Sequence, residues 1–191
     1  MKFRLILLLL IMPCVFADSV IFTEIMSDPP GNEGQGKEWI EIKNIGETDV
    51  NLEGYRFYED DTNHFITLIQ GDLILSPGDF AVIAEEDSVF LMEYPDYNKT
   101  LFDSYFSLNY KGEYIALKDS EENIIDSVTY IERNDDGYSV ELNCNDEWIS
   151  ETYQGTPGTG FTCISDMIPE FSTIGLTALL IIIGLYVKKK K

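Results

Sequence analysis

Short runs of β-branched and aromatic residues, separated by Gly, Pro, Asn and Asp, repeat along most of the chain. In Glu38–Lys43, apolar and polar residues alternate with a period of two, which predicts a strand with one buried face. We predict strands over Val20–Met26, Glu38–Lys43, Val50–Tyr58, His64–Ile69, Leu73–Leu75, Asp79–Ala84, Tyr114–Lys118, Ile124–Tyr130 and Tyr138–Leu142. Only Glu86–Tyr94 predicts a helix, and it is short. This spacing of strands favours an all-β fold, an antiparallel sandwich or barrel.

Trp39 is the centre of the predicted core, because aromatic side chains dominate the energetics of packing. We expect Trp39 to be buried together with Ile40 or Ile42, according to the face that the alternation turns inward. Leu52 and Tyr55 are expected to pack against them.

The first 17 residues have the pattern of a secretory signal peptide. Lys2 and Arg4 precede an apolar run over 5–12, and small residues ending at Ala17 form a cleavage site. The alternative is an uncleaved N-terminal anchor, although the apolar run is well short of the ~20 residues that a spanning helix needs. The pattern predicts that the chain is exported.

The other end of the chain predicts a membrane anchor. Residues 171–187 carry no charge and are followed by four lysines, Lys188–Lys191. An apolar run of this length fits the lower limit of ~17–25 residues for a transmembrane helix, and the positive-inside rule places the lysines in the cytoplasm. The predicted organisation is a signal peptide (1–17), a β domain (18–162), a short linker (163–170), a transmembrane helix (171–187) and a cytoplasmic basic tail (188–191).

Between these ends the chain is strongly acidic. Residues 18–167 hold 33 acidic and 7 basic side chains, a net charge of −26, against −21 for the whole chain. Such a surface repels phosphate backbones, so we expect no nucleic-acid partner.

Cysteine usage agrees with export. Cys14 leaves with the signal peptide, so the mature chain keeps Cys144 and Cys163. An even count in an oxidising compartment predicts one disulfide between them. In the chain-entropy model, closing this loop would raise the free energy of unfolding by about 3 kcal/mol. No nearby histidine completes a zinc site with these two thiols.

Candidate chemistry is sparse. His64 is the single histidine, lies in a loop-like acidic stretch and is accompanied by no nucleophile motif, so we expect it to be solvated. Two acidic clusters offer hard oxygen ligands of the kind that Ca²⁺ prefers, although solvated turns that keep the surface soluble are the favoured explanation. The candidate metal ligands are Asp60, Asp61, Asp135 and Asp136. Asn98 begins an Asn-Lys-Thr sequon for N-linked glycosylation.

The order of several short motifs resembles the lamin tail domain, an immunoglobulin-like antiparallel β-sandwich. The motifs are Val20–Ser27, Glu38–Asn44, Val50–Tyr55, Leu75–Val82, Gly112–Asp119, Ile124–Tyr130, Gly137–Leu142, Trp148 and Thr156-Pro157-Gly158. Each motif is weak alone, and the ordered set spans Ser19 to Gly160. The segments 60–63 and 93–105 are expected to be loops longer than this pattern needs.

The C-terminal pattern resembles a second family signal. Pro169, Glu170 and Phe171 precede the apolar run and the basic tail, which is similar to the PEF-CTERM sorting signal of archaeal surface proteins. The resemblance implies removal of the tail by an archaeosortase-like membrane peptidase, and the alternative is a permanent single-pass anchor. Either reading places the domain on the outer face of the cytoplasmic membrane, with the C-terminus cytoplasmic before any processing.

The lamin-tail resemblance implies a non-enzymatic binding or scaffolding module at the cell surface, without a cofactor. Its partner would be an extracellular protein or another surface component, in addition to the membrane that holds the C-terminal helix. The alternative is a metal-dependent hydrolase, or a hydrolase accessory domain, that uses the acidic loops. Four aspartates clustered around one concave pocket would favour the alternative, and scattered aspartates would favour the binding module.

Overall fold

The computed structural model describes residues 20–31, 35–131, 137–149 and 152–160, and this part of the chain contains thirteen strands and one short helix. In chain order they are β1 (Val20–Met26), β2 (Trp39–Asn44), β3 (Val50–Asn51), β4 (Arg56–Glu59), β5 (Thr62–Phe65), β6 (Thr67–Gln70), β7 (Ile74–Leu75), β8 (Phe80–Ala84), α1 (Asp87–Glu93), β9 (Thr100–Asp103), β10 (Tyr114–Lys118), β11 (Ile124–Thr129), β12 (Val140–Leu142) and β13 (Trp148–Ile149).

The strands form two main sheets and a small third one. The first has seven strands in the order β13-β12-β1-β2-β8-β9-β6, the second has four in the order β11-β10-β4-β5, and β3 pairs with β7 alone. Neighbouring strands are antiparallel except β8 and β9, which run parallel. The all-β sandwich is confirmed, and the prediction of a wholly antiparallel arrangement is wrong at this pair. A parallel pair needs a crossover, and α1 with its flanking loops supplies it.

The main core lies between the two larger sheets. Leu52 and Tyr55 belong to it, as predicted, together with Ile40 and Ile42 of β2. The other large buried side chains of this core include Phe22 and Ile25 from β1, Phe57 from β4, Phe102 from β9, and Ile115 and Leu117 from β10. A shared apolar core from both sheets is what holds a β-sandwich together.

Strand β2 is buried on both of its faces, where one buried face was predicted. Ile40 and Ile42 face the main core, whereas Trp39 belongs to a second apolar cluster with Met26, Val82, Ala84, Phe90 and Leu101. Phe90 comes from α1, and its ring lies edge-on to Trp39 with the centroids 6.1 Å apart. The second face is therefore covered because the β8–β9 crossover lies against it. The predicted burial of Trp39 is confirmed.

Residues 152–160, which we name the C-terminal clasp, cover the polar part of the same face. Glu24 of β1 and Glu41 of β2 are paired across the strands and are both fully buried. Glu24 accepts hydrogen bonds from the backbone N–H of Thr156 (2.8 Å) and from its hydroxyl (3.1 Å). Glu41 accepts the backbone N–H of Gly158. A bulge in β1 lets the hydroxyl of Thr23 donate to Glu41 as well, at 2.7 Å.

The clasp packs closely against Trp39 because the residue of the clasp at this contact is a glycine, Gly155. Gly155 has a φ of 73°, and a Cβ there would lie 2.6 Å from Cζ2 of Trp39 and 2.7 Å from Oε1 of Glu24. Tyr94 closes the arrangement, since its hydroxyl accepts the indole N–H of Trp39 (3.1 Å) and donates to the carbonyl of Gln154. A left-handed backbone without a side chain is a position that only glycine fills readily.

Burial controls the protonation of the two glutamates. Loss of hydration raises the pKa of Glu24 to about 8, although hydrogen bonds from Ser139 and Thr156 oppose the rise. Burial likewise raises the pKa of Glu41 to about 7, against hydrogen bonds from Thr23 and Gly158. The neutral carboxyl is favoured because a buried charge costs more than these donors return.

Several strand boundaries differ from the prediction. Strand β9 lies inside the segment 93–105 that was expected to be a loop, and β13 was not predicted. The expected loop at 60–63 is only a two-residue turn, so His64 stands within β5. The runs 50–58 and 64–69 each divide into two strands of different sheets, since the chain changes sheet inside them.

The predicted end segments lie outside the described residues, namely 1–17, the linker and sorting motif over 163–171, and the apolar run 171–187. Where the structure does describe the chain, it contains no helix that is both long and apolar enough to cross a membrane.

We predict that Trp39→Ala lowers the free energy of unfolding by about 3–5 kcal/mol, because it leaves a cavity under α1 and the clasp. Urea unfolding followed by far-UV circular dichroism measures the change. Met92→Ala removes an apolar side chain that is 72% exposed on the same helix, and it serves as the control with little expected effect. Equal unfolding midpoints for both variants would contradict this account of the second cluster.

Stability should also depend on pH through the two glutamates. Between pH 4.5 and their folded-state pKa values of about 8 and about 7, Glu24 and Glu41 stay protonated in the folded chain but have lost their protons in the unfolded chain. The stabilising contribution of Glu24 and Glu41 is therefore full below pH 4.5 and is lost as the pH rises through about 7 and 8. Glu24→Gln should flatten the decline by up to about 1.4 kcal/mol per pH unit. Urea titrations at pH 5, 6.5 and 8 test this, with the exposed Glu53→Gln as control. Parallel curves for wild type and Glu24→Gln would refute it.

Candidate functional site

The acidic residues proposed as metal ligands are explained first by the backbone. Asp60 and Asp61 are the two central residues of the β4–β5 hairpin, with φ of 42° and 58°. Aspartate is favoured where a tight hairpin needs positive φ at both positions. The hydroxyl of Tyr58 also donates to Asp61 at 2.9 Å. Asp135 and Asp136 lie outside the described residues, so their convergence with this turn stays untested.

No group of three or more His, Cys, Asp or Glu side chains within the described ranges could hold a metal ion. The calcium site therefore stays a prediction that gains no support from this part of the chain.

His64 is partly buried rather than solvated. Its Nε2 lies 3.0 Å from Oε1 of Glu59 on the same hairpin, and its ring packs against Phe57 with centroids 6.3 Å apart. Burial, followed by the charge of Glu113, raises the pKa of Glu59, while His64 opposes the rise. The expectation of a solvated histidine is wrong because the short turn places His64 in an edge strand that packs on the core.

The remaining predicted sites are a glycosylation sequon at Asn98 and a disulfide between Cys144 and Cys163, and the structure describes only part of them. Asn98 is exposed, whereas the threonine of its sequon, Thr100, is buried at the start of β9 and its hydroxyl donates to the carbonyl of Asp72 at 3.3 Å. Cys144 lies in the turn between β12 and β13, and Cys163 lies outside the described residues. The disulfide between them stays a prediction.

An open cleft of 370 Å³ lies where the edges of the two main sheets meet, and we name it the β5–β9 cleft. The chain passes from the four-stranded to the seven-stranded sheet through Ile66 alone, between β5 and β6. Strand β9 pairs with β6 and ends beside it. The lining residues are Asn63, His64, Phe65, Thr67, Asp103, Ser104 and Tyr105. Two sheets therefore hold the walls in place.

Two exposed aromatic rings belong to this cleft. Tyr105 is 90% exposed and Phe65 is 69% exposed. The guanidinium of Arg56 lies 4.0 Å from the centroid of the Phe65 ring, which restrains the ring without covering it. The next residue, Phe106, is buried with its ring 4.9 Å from that of Phe57 and anchors the segment that carries Tyr105. Exposed rings on a fixed backbone are typical of ligand sites.

The polar wall of the cleft carries acceptor groups and no lysine or arginine. Oδ1 of Asp103 accepts the backbone N–H of Asp87 at 3.1 Å, and burial, followed by the charges of Asp87 and Glu86, raises the pKa of Asp103. The hydroxyl of Ser104 is buried and has no hydrogen-bond partner in the described structure. This arrangement can bind a polar ligand, and Nε2 of His64 is held by Glu59 at 3.0 Å.

A larger cleft of 430 Å³ lies between the residues that follow α1 and the C-terminal clasp. Its two tyrosine hydroxyls already bind backbone carbonyls, that of Tyr94 at Gln154 and that of Tyr97 at Thr100 (2.8 Å). The β5–β9 cleft is the better candidate because its rings and its polar groups are less engaged with the protein itself.

We predict that Ser104→Ala leaves the free energy of unfolding unchanged or raises it by about 1 kcal/mol, because an unpaired buried hydroxyl stabilises nothing. Ser139→Ala is the matched control, since that buried hydroxyl forms hydrogen bonds with Glu24 and Glu141, 3.2 Å from the latter, and its loss should cost at least about 1 kcal/mol. Thermal unfolding of both variants checks the difference. A Ser104→Ala variant as destabilised as Ser139→Ala would show that the Ser104 hydroxyl has a partner.

The comparisons with known proteins agree with the sandwich. The family model of the Lamin Tail Domain matches residues 17–132, which include β1 to β11 and the whole β5–β9 cleft. The match ends at residue 132, so the last three motifs of the predicted resemblance, Gly137–Leu142, Trp148 and Thr156-Pro157-Gly158, are not part of it. Neither the curated proteins nor the solved structures contain a match to this chain. Since the family model covers more than half of the sequence, the chain belongs to the lamin tail domain family.

Proposed function

We propose that this protein is an exported, membrane-anchored lamin-tail module that binds a ligand at the cell surface and performs no catalysis. The β5–β9 cleft is the observation that supports a binding role, because it presents Tyr105 and Phe65 to solvent beside polar side chains. Family membership supports an immunoglobulin-like binding or scaffolding module. Such modules carry their ligand sites on loops and strand ends of a rigid sandwich.

The proposed location rests on the sequence at the two ends. Residues 1–17 have the signal-peptide pattern, and the apolar run 171–187 with its lysine tail has the pattern of a single-pass anchor. Ten residues, 161–170, separate the last described residue from that run. A domain with 33 acidic and 7 basic side chains also has the solubility needed at an exposed surface.

Two fates of the C-terminus fit this proposal. An archaeosortase-like peptidase removes the tail near Pro169-Glu170-Phe171, or the tail stays as a permanent anchor. The mass of the mature protein from its native membrane separates them, because the first leaves a chain shortened by roughly the last 20 residues, with any attached lipid added.

Deletion of residues 169–191 should release a folded domain into the medium, since it removes the only apolar run long enough to span a bilayer. Cell fractionation with an immunoblot measures the distribution, and protease added to intact cells tests whether the full-length domain faces outward. Deletion of Lys188–Lys191 alone is the control, and it should keep the protein in the membrane fraction. A truncated chain that stays with membranes after a high-salt wash would contradict the proposal and point to an uncleaved N-terminal anchor.

A further inference from the structure

The two exposed rings of the β5–β9 cleft favour a ligand with flat apolar faces. Tyr105 has no ring contact, hydrogen bond or ion pair within the described structure, so its ring is available on both sides. Phe65 is held by Arg56 at one side only. Aromatic side chains in such positions bury C–H surfaces of a ligand at little cost in conformational entropy.

The wall between the rings favours a ligand rich in hydroxyl groups. Oδ2 of Asp103 accepts no hydrogen bond from a described residue, while Oδ1 is used by Asp87. Thr67 adds an exposed hydroxyl. The amide of Asn63 is fixed at both ends, since its oxygen accepts from Lys118 at 2.9 Å and its nitrogen donates to Glu122 at 3.4 Å, so it shapes the wall. A purely apolar ligand would leave these groups dehydrated and unpaired, which costs free energy.

Charge disfavours both ionic ligand classes. An anion would meet Asp103 in the cleft and Glu59 behind His64. The two basic side chains that contact lining residues are already engaged, Arg56 by Glu122 and the Phe65 ring, and Lys118 by Asn63 and the Tyr58 ring. A cation would approach the Phe65 ring, whose face already carries the guanidinium of Arg56. Like charges repel, and a ring that is occupied by one cation attracts a second one poorly.

We propose that the β5–β9 cleft binds a neutral carbohydrate, with sugar rings stacked on Tyr105 and Phe65 and sugar hydroxyls donating to Asp103. The proposal rests on the binding role put forward above and names its ligand class. The volume of 370 Å³ lies within the range of about 300–1,000 Å³ that is usual for ligand sites. The cleft is open, so it suits part of a longer glycan chain.

The test uses the purified full-length protein in detergent and measures binding by isothermal titration calorimetry. The neutral probes are cellohexaose, maltohexaose, chitohexaose, laminarihexaose and mannohexaose, and the anionic probe is hexagalacturonate. We expect at least one neutral hexasaccharide to bind. Tyr105→Ala and Phe65→Ala should each weaken this binding at least tenfold, and Tyr105→Phe, which keeps the ring, should weaken it less.

Matched controls separate the cleft from general effects of surface change. Met92→Ala removes another exposed apolar side chain, on α1, and should leave binding unchanged. Circular dichroism confirms that the variants are folded, and since Tyr105 is almost fully exposed its loss should not unfold the domain. The proposal is overturned if no neutral probe binds at millimolar concentration, if Tyr105→Ala binds as wild type does, or if hexagalacturonate binds most tightly.

The calorimetric result is independent of membrane anchoring. A protein that is displayed outward but binds no neutral glycan would overturn the ligand class and leave the proposed location standing. A protein that binds glycan through Tyr105 but is not displayed would overturn the location and leave the cleft as a carbohydrate site.

Discussion

Two buried glutamates bonded to the last segment of the domain are the constraint on which one side of the sandwich depends. Glu24 and Glu41 would be expensive to bury alone, and backbone N–H groups of the C-terminal clasp are the donors that make their burial tolerable. The clasp in turn covers Trp39, which fixes where α1 lies. Removing the clasp would leave Glu41 with the hydroxyl of Thr23 and Glu24 with that of Ser139 as remaining donors. The stability of the sheet, the helix and the clasp is therefore coupled.

At the other end of the seven-stranded sheet, strands β9 and β6 form one side of the β5–β9 cleft. Strand β9 can lie beside β8 only because α1 carries the chain back, and this parallel pair then places β9 next to β6. Because β6 follows β5 after a single residue, the edges of both sheets converge there. The cleft results from this topology. Its walls come from the paired strands β5, β6 and β9, and from Ser104 and Tyr105 directly after β9. Its rings stay exposed because no further strand of the described residues covers them.

Local patterns in the sequence predicted the elements that local forces determine. Tyr114–Lys118, which was predicted as a strand, is β10, and the short helix predicted over Glu86–Tyr94 is α1. Strand β9 was missed because its four residues are nearly all buried and show no alternation. The cleft was missed as well, since its walls come from 63–67 and 103–105, and only the tertiary fold brings these segments together. The adjacent aromatic residues Tyr105 and Phe106 were a signal in the sequence, although only the structure shows which of the two is exposed.

The clasp also affects the order in which the parts of the domain can complete their contacts during folding. The hydrogen bond between Thr156 and Glu24 joins residues 132 positions apart. Almost the whole domain must therefore be synthesised before this donor is available to the carboxyl group of β1. Contacts of such long range form late, because the entropy of closing the loop must be overcome first. In a chain made from its N-terminus, Glu24 therefore gains its donors at Thr156 only after the clasp has been synthesised. In the exported protein proposed above, this late bond formation would help to keep the chain unfolded during translocation.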